Sequence, residues 1–406
     1  MAALVDSLDI PQLPILIDES REDRQKLLRD TAQQSWLARN ELGFTVLSYD
    51  SVVGVLRDKR WHSATGMIAQ LQGITNEAFL ARRRVSILSA EGDTHVRLRR
   101  LVAPAFSPRN ADRLRPFMRD VVNSLVDPIV ASGRGEVVRD ICEPYPIPII
   151  CELLGAPKDD WQLFSRLASE ILLIFSGNLN EVLDVFMAAQ TELDAYTRHL
   201  IDERRRSPAD DLITHLISAE ESGDKLDTEE LVMMVEAVIV GGTDTTRNQL
   251  GLALALFAEH PEQWNALRNN PELAPRAVEE VMRYCGSISG TIRFASEDIE
   301  MNGVLFPKGT FMSTSMGTAN YDSNVFPQPD KFDITREPVG QPQLSFGSGI
   351  HYCLGASLAR AELQESFQVL SQRLPNLSLD GEIEFKPSTI GIFGPARLPV
   401  KFDAGH

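Results

Sequence analysis

The sequence predicts a mainly α-helical chain with a minor β component, on three observations. The first half reads as amphipathic helices punctuated by proline. A proline-free stretch of about 33 residues with helical character spans positions 228 to 260, about 50 Å of helix at 1.5 Å per residue. Extended segments are few and short, and no internal repeat, low-complexity linker or clean boundary divides residues 1–406, so a single helix-rich domain is expected.

Taken in order, GFTVLSYD and SVVGVL read as early extended segments, and EPYPIPIICELLGAP at 143 to 157 leads through prolines into a helix. DLITHLISAEESGDKLD ends in a turn at Gly223 and Asp224. Asp227 and Glu230 then form an Asp-x-x-Glu start signal for the long helix. Within it, VIVGGTDTT sets two glycines and a hydroxyl cluster into an apolar rod, against helix propensity. Breaches of local rules of this kind mark functional sites. PELAPRAVEEVMRY is a helix; RFASEDIEMNGVLFPKGTFMSTS reads as short strands turning at Asn302-Gly303 and Pro307-Lys308-Gly309. NYDSNVFPQPDKFDITREPVGQPQ is a long aperiodic loop.

A net charge of -17 argues against nonspecific nucleic-acid or anionic-membrane binding, both of which need a dominant basic face. No apolar run approaches the roughly 20 residues of a membrane span. The first twenty residues hold prolines and acids where a signal peptide needs basic and apolar blocks, so an unanchored cytoplasmic protein is expected. Cys142, Cys151, Cys285 and Cys353 show no CxxC, and the seven histidines are scattered, so neither a disulfide framework nor structural zinc is indicated.

One cysteine stands apart. In SFGSGIHYCLG, residues 345–355, glycines approach Cys353 from both sides and a strong helical sequence, LGASLARAELQESFQVLSQRL, follows it. A thiol at a helix N-terminus is expected to have its pKa lowered by the dipole and unpaired N–H groups, as a metal-ligating thiolate requires. Taken alone, the same loop would serve as a turn capping a helix around an inert cysteine.

Phe346-Gly347-x-Gly349-x-His351-x-Cys353-Leu354-Gly355 resembles, at every defining position, the haem-binding loop of the cytochrome P450 superfamily, the haem-thiolate monooxygenases. The resemblance implies the triangular, helix-rich P450 fold over essentially the whole chain, with haem b bound through Cys353 as the axial iron ligand. Phe346, Gly347 and Gly355 would flank the cofactor. Glu280 and Arg283 match the family's ExxR, which braces the segment beneath the haem through a basic residue of the loop after it; Arg336 is the first choice for that residue and Lys331 the second. Tyr321 and Ser323 stand where the family more often has Arg and Pro.

In the long helix, Gly241-Gly242-Thr243-Asp244-Thr245-Thr246 is similar to the family's oxygen-activating stretch. The resemblance gives Thr245 a hydroxyl donor role beside dioxygen and Asp244 a proton relay from solvent. A hydroxyl there can also disturb the helical ladder and open a groove. His95 and Arg99, at i,i+4, with Arg293 and His351 match the residues that hold the propionates. Ala237, Val240, Gly241, Thr245, Ile288, Ser289 and Ile392 fall at substrate-contact positions; all are uncharged, which implies a small apolar substrate, terpenoid, steroid or fatty-acid-like.

With no flavin or nicotinamide fingerprint and no iron–sulfur cysteine cluster, electrons would come from NAD(P)H through a reductase and a ferredoxin-type donor. Arg97, Arg100, Arg109, Arg113, Arg115 and Arg119 offer a basic docking face for it on an otherwise acidic monomer. Two other readings stand beside hydroxylation: a P450-type catalyst using peroxide or performing dehydration or C–C cleavage, which Asp244 and Thr245 argue against, and a haem-binding sensor without turnover.

Overall fold

The computed structural model describes residues 2–14, 21–71, 73–157, 160–173, 179–221, 226–386 and 392–404; the expected turn at Gly223 and Asp224 lies outside them. The long helix runs from Thr228 to Glu259, 32 residues. Its start is the capping box: Glu230 N donates to Asp227 Oδ1 at 2.8 Å and Asp227 N to Glu230 Oε2 at 3.2 Å. The helix is buried on nearly every side, between the helices Pro146–Leu154, Trp161–Leu172 and Leu179–Arg206 and the C-terminal helix Ala356–Arg373. That all-round burial explains its apolar sequence.

The C-terminal helix packs in turn along the helix Pro108–Val130. Where it meets the end of the long helix, Phe257 is fully buried among Trp264, Phe332 and Phe367, with the Phe367 ring edge-on at 5.4 Å. Trp264 Nε1 donates to Leu374 O at 2.8 Å, so the indole is buried without an orphaned donor.

Beside the helices lies a five-stranded mixed sheet with the spatial order Leu37–Asn40, Gly43–Val46, Phe311–Thr314, Thr291–Ala295, Trp61–Ser63. The register sets Arg293 opposite Met312 on one side and Ser63 on the other. A smaller sheet pairs Ile299–Met301 with Val304–Phe306, and the expected turns are in place: Asn302 and Gly303 have φ of 52° and 74°, and Gly309 has 87°.

SVVGVL corrects the reading made from its valines. It lies in the helix Tyr49–Arg57, because Tyr49, Val52, Val55 and Leu56 fall on one face and bury against the sheet. Helical period and tertiary contact override β-propensity there. No helix among the described residues is long and apolar enough to cross a membrane.

Candidate active site

The cysteine loop is drawn tight by its own backbone. Cys353 N donates to Phe346 O at 2.8 Å and Gly347 N to Leu344 O at 2.7 Å. Gly347 and Gly349 have φ of 72° and 71°, where a side chain is strained, and a Cβ on Gly349 would stand 2.2 Å from Leu56 O. Gly355 needs neither argument: its φ is -82°, and a Cβ there would meet nothing within 4 Å. Arg360 clamps the loop, its guanidinium 4.4 Å from the Phe346 ring centre and paired with Glu279.

Cys353 precedes the N-cap Gly355 of the C-terminal helix and is exposed on its open side. The expectation of a lowered thiol pKa is not met by the protein alone. Burial of the rest of the group pushes the thiol up, and the Gly355 N–H, Arg99 and Arg360 offset only part of that. Ionisation of this thiol is therefore left to whatever it binds.

Around the cysteine stand the expected cations, in two conditions. His351 Nε2 is within 2.8 Å of Glu91 Oε1, so its partner in the protein is a carboxylate. Arg293 is buried, and Nη1 donates only to Thr291 Oγ1 and Ile292 O, both at 3.2 Å; among the described residues no carboxylate pairs with it. Arg99 likewise bonds a carbonyl, Tyr352 O at 2.6 Å, rather than an acid. Burial lowers the pKa of both guanidinium groups.

His95 is buried with Nδ1 unpartnered, its ring 4.4 Å from that of His351. Burial, then the charges of His351 and Arg99, bring its pKa down to about 4, so it is a neutral donor and not a cation. A buried arginine and a half-buried one, neither paired with an acid among the described residues, and an orphaned imidazole nitrogen fit a ligand that carries carboxylates. The haem implied by the cysteine motif has two propionates, and these residues suit it.

On the long helix the Gly-Gly pair divides two tasks. A Cβ on Gly242 would lie 2.3 Å from Ile150 Cδ1, so this glycine lets the neighbouring helix approach, while a Cβ on Gly241 would meet nothing within 4 Å. The helix continues through this stretch: Thr243 Oγ1 donates to Ile239 O at 3.0 Å and Thr245 Oγ1 to Gly241 O at 2.8 Å, without the expected break. Thr245 faces a cavity. Asp244 faces away from it, paired with Arg247, accepting from Asn248 Nδ2 at 3.0 Å and standing 3.6 Å from Lys386 Nζ. Arg247 in turn lies 3.5 Å from the partly exposed Glu143.

The cavity holds about 610 Å³ and is lined by all the expected positions: Ala237, Val240, Gly241, Thr245, Ile288, Ser289 and Ile392. Thr291 and Ile292 also line it, which joins it to Arg293 on the same strand. The sequence reading missed a charged group on this wall, comprising Arg82, Arg83, Gln190 and Glu236. Its signal was legible: Glu236 is a lone acid in the apolar run VMMVEAVIV, and Arg82 and Arg83 are adjacent on a short helix.

Beneath the cysteine loop, Arg283 grips Glu280 through Nε and Nη2 at 2.8 and 2.9 Å, both side chains buried. Arg336 Nε reaches the same carboxylate at 3.0 Å, whereas Lys331 pairs with Asp333 at 2.8 Å. Tyr321 is used locally, its hydroxyl donating to Tyr284 O at 2.7 Å.

The basic face is less charged than its sequence suggested. Arg97 pairs with Glu230, Arg113 with Asp210, Arg115 with Asp112 and Glu365, and Arg119 with Glu365; Arg109 is exposed. Pairing with acids engages Arg97, Arg113, Arg115 and Arg119 and so takes up most of the expected charge.

Residues 44–388 match the family model for cytochrome P450. Luteothin monooxygenase of Streptomyces thioluteus is 37% identical over 378 residues, 92% of each chain. Mycinamicin IV hydroxylase/epoxidase of Micromonospora griseorubida is 35% identical over 366 residues, 89% of each. The crystal structure of P450BioI in complex with hexadec-9Z-enoic acid ligated acyl carrier protein has a TM-score of 0.87 at 31% identity, covering 94% of this chain and 99% of that one.

Proposed function

The chain belongs to the cytochrome P450 family and is a P450 monooxygenase, and from that premise we propose that it hydroxylates a C–H bond of a small, largely apolar molecule. The cofactor would be haem b, which Cys353 Sγ would hold at the iron and Arg293, Arg99 and His95 would hold at the propionates. When bound, haem supplies the centre at which dioxygen is reduced, one atom entering the substrate and the other leaving as water.

The rest is the work of side chains. The Phe346 carbonyl and the Arg360 clamp fix the Cys353 loop before any ligand arrives. Thr245 lines the cavity and rests its Oγ1 proton on Gly241 O, from where rotation of the hydroxyl would turn it toward the cavity. Asp244 replenishes that proton from the solvent side. Because Arg247 and Lys386 hold its carboxylate off the cavity, delivery requires the carboxylate to leave that pair.

A cavity of about 610 Å³ with mostly aliphatic walls suits a terpenoid, steroid or fatty-acid-like molecule, and the fatty-acyl ligand of the P450BioI complex is of that kind. Electrons arrive from NAD(P)H through a reductase and a ferredoxin-type donor docking on the monomer near Arg100 and Arg109. The observation that carries this reading is the Cys353 loop set beside the buried Arg293 and the half-buried Arg99, neither of which has an acid of its own among the described residues. Reconstitution with a surrogate ferredoxin and reductase tests it. Substrate-dependent NADPH consumption with an oxygenated product is expected; a haem-loaded protein that turns over no apolar compound would favour a sensor.

A further inference from the structure

The charged group on the cavity wall has one member too many. Arg82 is fully employed: its Nη1 and Nη2 donate to Asp194 at 2.6 Å each, and Nη2 also reaches Glu236 at 3.0 and 3.1 Å. Gln190 Nε2 closes the set, donating to Asp194 at 2.9 Å and Glu236 at 3.0 Å. Two carboxylates thus share one guanidinium. Asp194 is held below its ordinary value, and burial pushes Glu236 up to about 9, so one proton stays with the pair and Glu236 is neutral near neutral pH.

Arg83, next along the chain, lines the same cavity. Its Nε is buried without a partner, and among the described residues no ion pair or side-chain hydrogen bond holds its guanidinium. Burial brings its pKa down to about 10, still a cation at neutral pH. Arg83 is half-buried; a cation set in the wall with an orphaned Nε is costly, and the protonated Glu236 beside it does not relieve it. Arg293 presents the same condition where the haem propionates are expected.

We propose that Arg83 binds an anionic group of the substrate, so that the molecule is a lipophilic carboxylate whose acid end docks at Arg83 and whose apolar end extends toward Thr245. This rests on the monooxygenase reading above. Glu236, whose carboxylate acts on Arg83 when ionised, and Thr245 are nine positions apart on the long helix, about 13.5 Å at 1.5 Å per residue, which leaves room in the cavity between the anchor and the reacting end. Val240, Gly241, Ile288 and Ile392 are among the aliphatic and small residues that line the same cavity.

The test uses the haem-loaded enzyme, Arg83→Gln and Arg83→Lys, titrated with octanoic, dodecanoic and hexadecanoic acids and with the alcohols of the same lengths, read by the spectral shift that substrate binding causes. In the wild type at least one acid is expected to bind more tightly than its alcohol by about tenfold to a hundredfold, the range of a charge-assisted hydrogen bond. Arg83→Gln should abolish the preference without moving alcohol affinity or haem content, and Arg83→Lys should restore part of it. Equal affinities for acid and alcohol, an undiminished preference in Arg83→Gln, silence from both series, or loss of haem from Arg83→Gln overturns the proposal. The thiolate spectrum of the reduced carbon monoxide complex, recorded on each sample, separates these failures from failure of the monooxygenase reading.

Discussion

Arg336 Nε lies 3.0 Å from Glu280 Oε2 across 56 positions of chain, and this contact ties the long aperiodic loop to the helix beneath the cysteine. Arg336 also donates to the carbonyls of Gln328 and Lys331 at 3.1 and 2.8 Å, while Arg283 collects Asn320 O and Pro329 O. The loop has no helix or strand of its own between Asn320 and Ser348, so these two guanidinium groups stand in for one.

Thermal melts should rank the two ends of that contact. Glu280→Ala leaves Arg283 buried without its acid and is expected to cost about 3–5 kcal/mol. Arg336→Ala leaves the Glu280–Arg283 pair intact and should cost about 1–3 kcal/mol. Equal losses would mean that the brace is not organised around Glu280.

Arg293→Leu should separate cofactor binding from folding. In the haem-free protein the substitution removes a buried cation with no carboxylate, so the melting temperature should hold or rise. Haem affinity should fall by about tenfold or more. A haem-free variant that melts well below the wild type, with haem affinity unchanged, would make Arg293 a structural residue only.

Thr245→Ala removes the hydroxyl that faces the cavity and that now bonds only to Gly241 O. The variant is expected to keep its haem and its rate of NADPH consumption while hydrogen peroxide replaces oxygenated product. Coupling to product as efficient as in the wild type would remove Thr245 from proton delivery.

Glu362 predicts a pH dependence. The side chain is buried, Thr246 Oγ1 donates to Oε2 at 3.2 Å, and burial pushes the carboxyl from its ordinary 4.5 up to about 8. The folded state therefore keeps a proton that the unfolded state gives up, and the stabilising contribution, full below 4.5, is lost as pH rises through about 8. Glu362→Gln retains an acceptor for Thr246 and does not titrate. Denaturant melts across this interval should show the wild type losing stability relative to the variant as pH rises; parallel profiles would contradict the shift.

Much of this was legible in the sequence where local chemistry and long-range role coincide. The capping box at Asp227 and Glu230 placed the start of the long helix, and the Asn302-Gly303 turn placed a hairpin, because each is decided within four residues. Choosing Arg336 over Lys331 rested on family resemblance, and the geometry brings Arg336 to Glu280. What was not legible depends on partners distant in sequence. SVVGVL became a helix because the sheet buries one of its faces, and basic arginines were paired by Glu230 and Glu365 from other helices and by Asp210 from a bend. The cavity looked uncharged because Arg83 and Glu236 were not among the positions considered, and the Cys353 thiol is raised by surroundings that no local motif describes.

The central claim is that Cys353 is the iron ligand, and the absorption spectrum of the reduced carbon monoxide complex tests it most directly. The haem-loaded wild type should show the long-wavelength Soret band of thiolate ligation, and Cys353→Ser should lose that band. The same band in Cys353→Ser, or its absence from a fully haem-loaded wild type, would contradict the account.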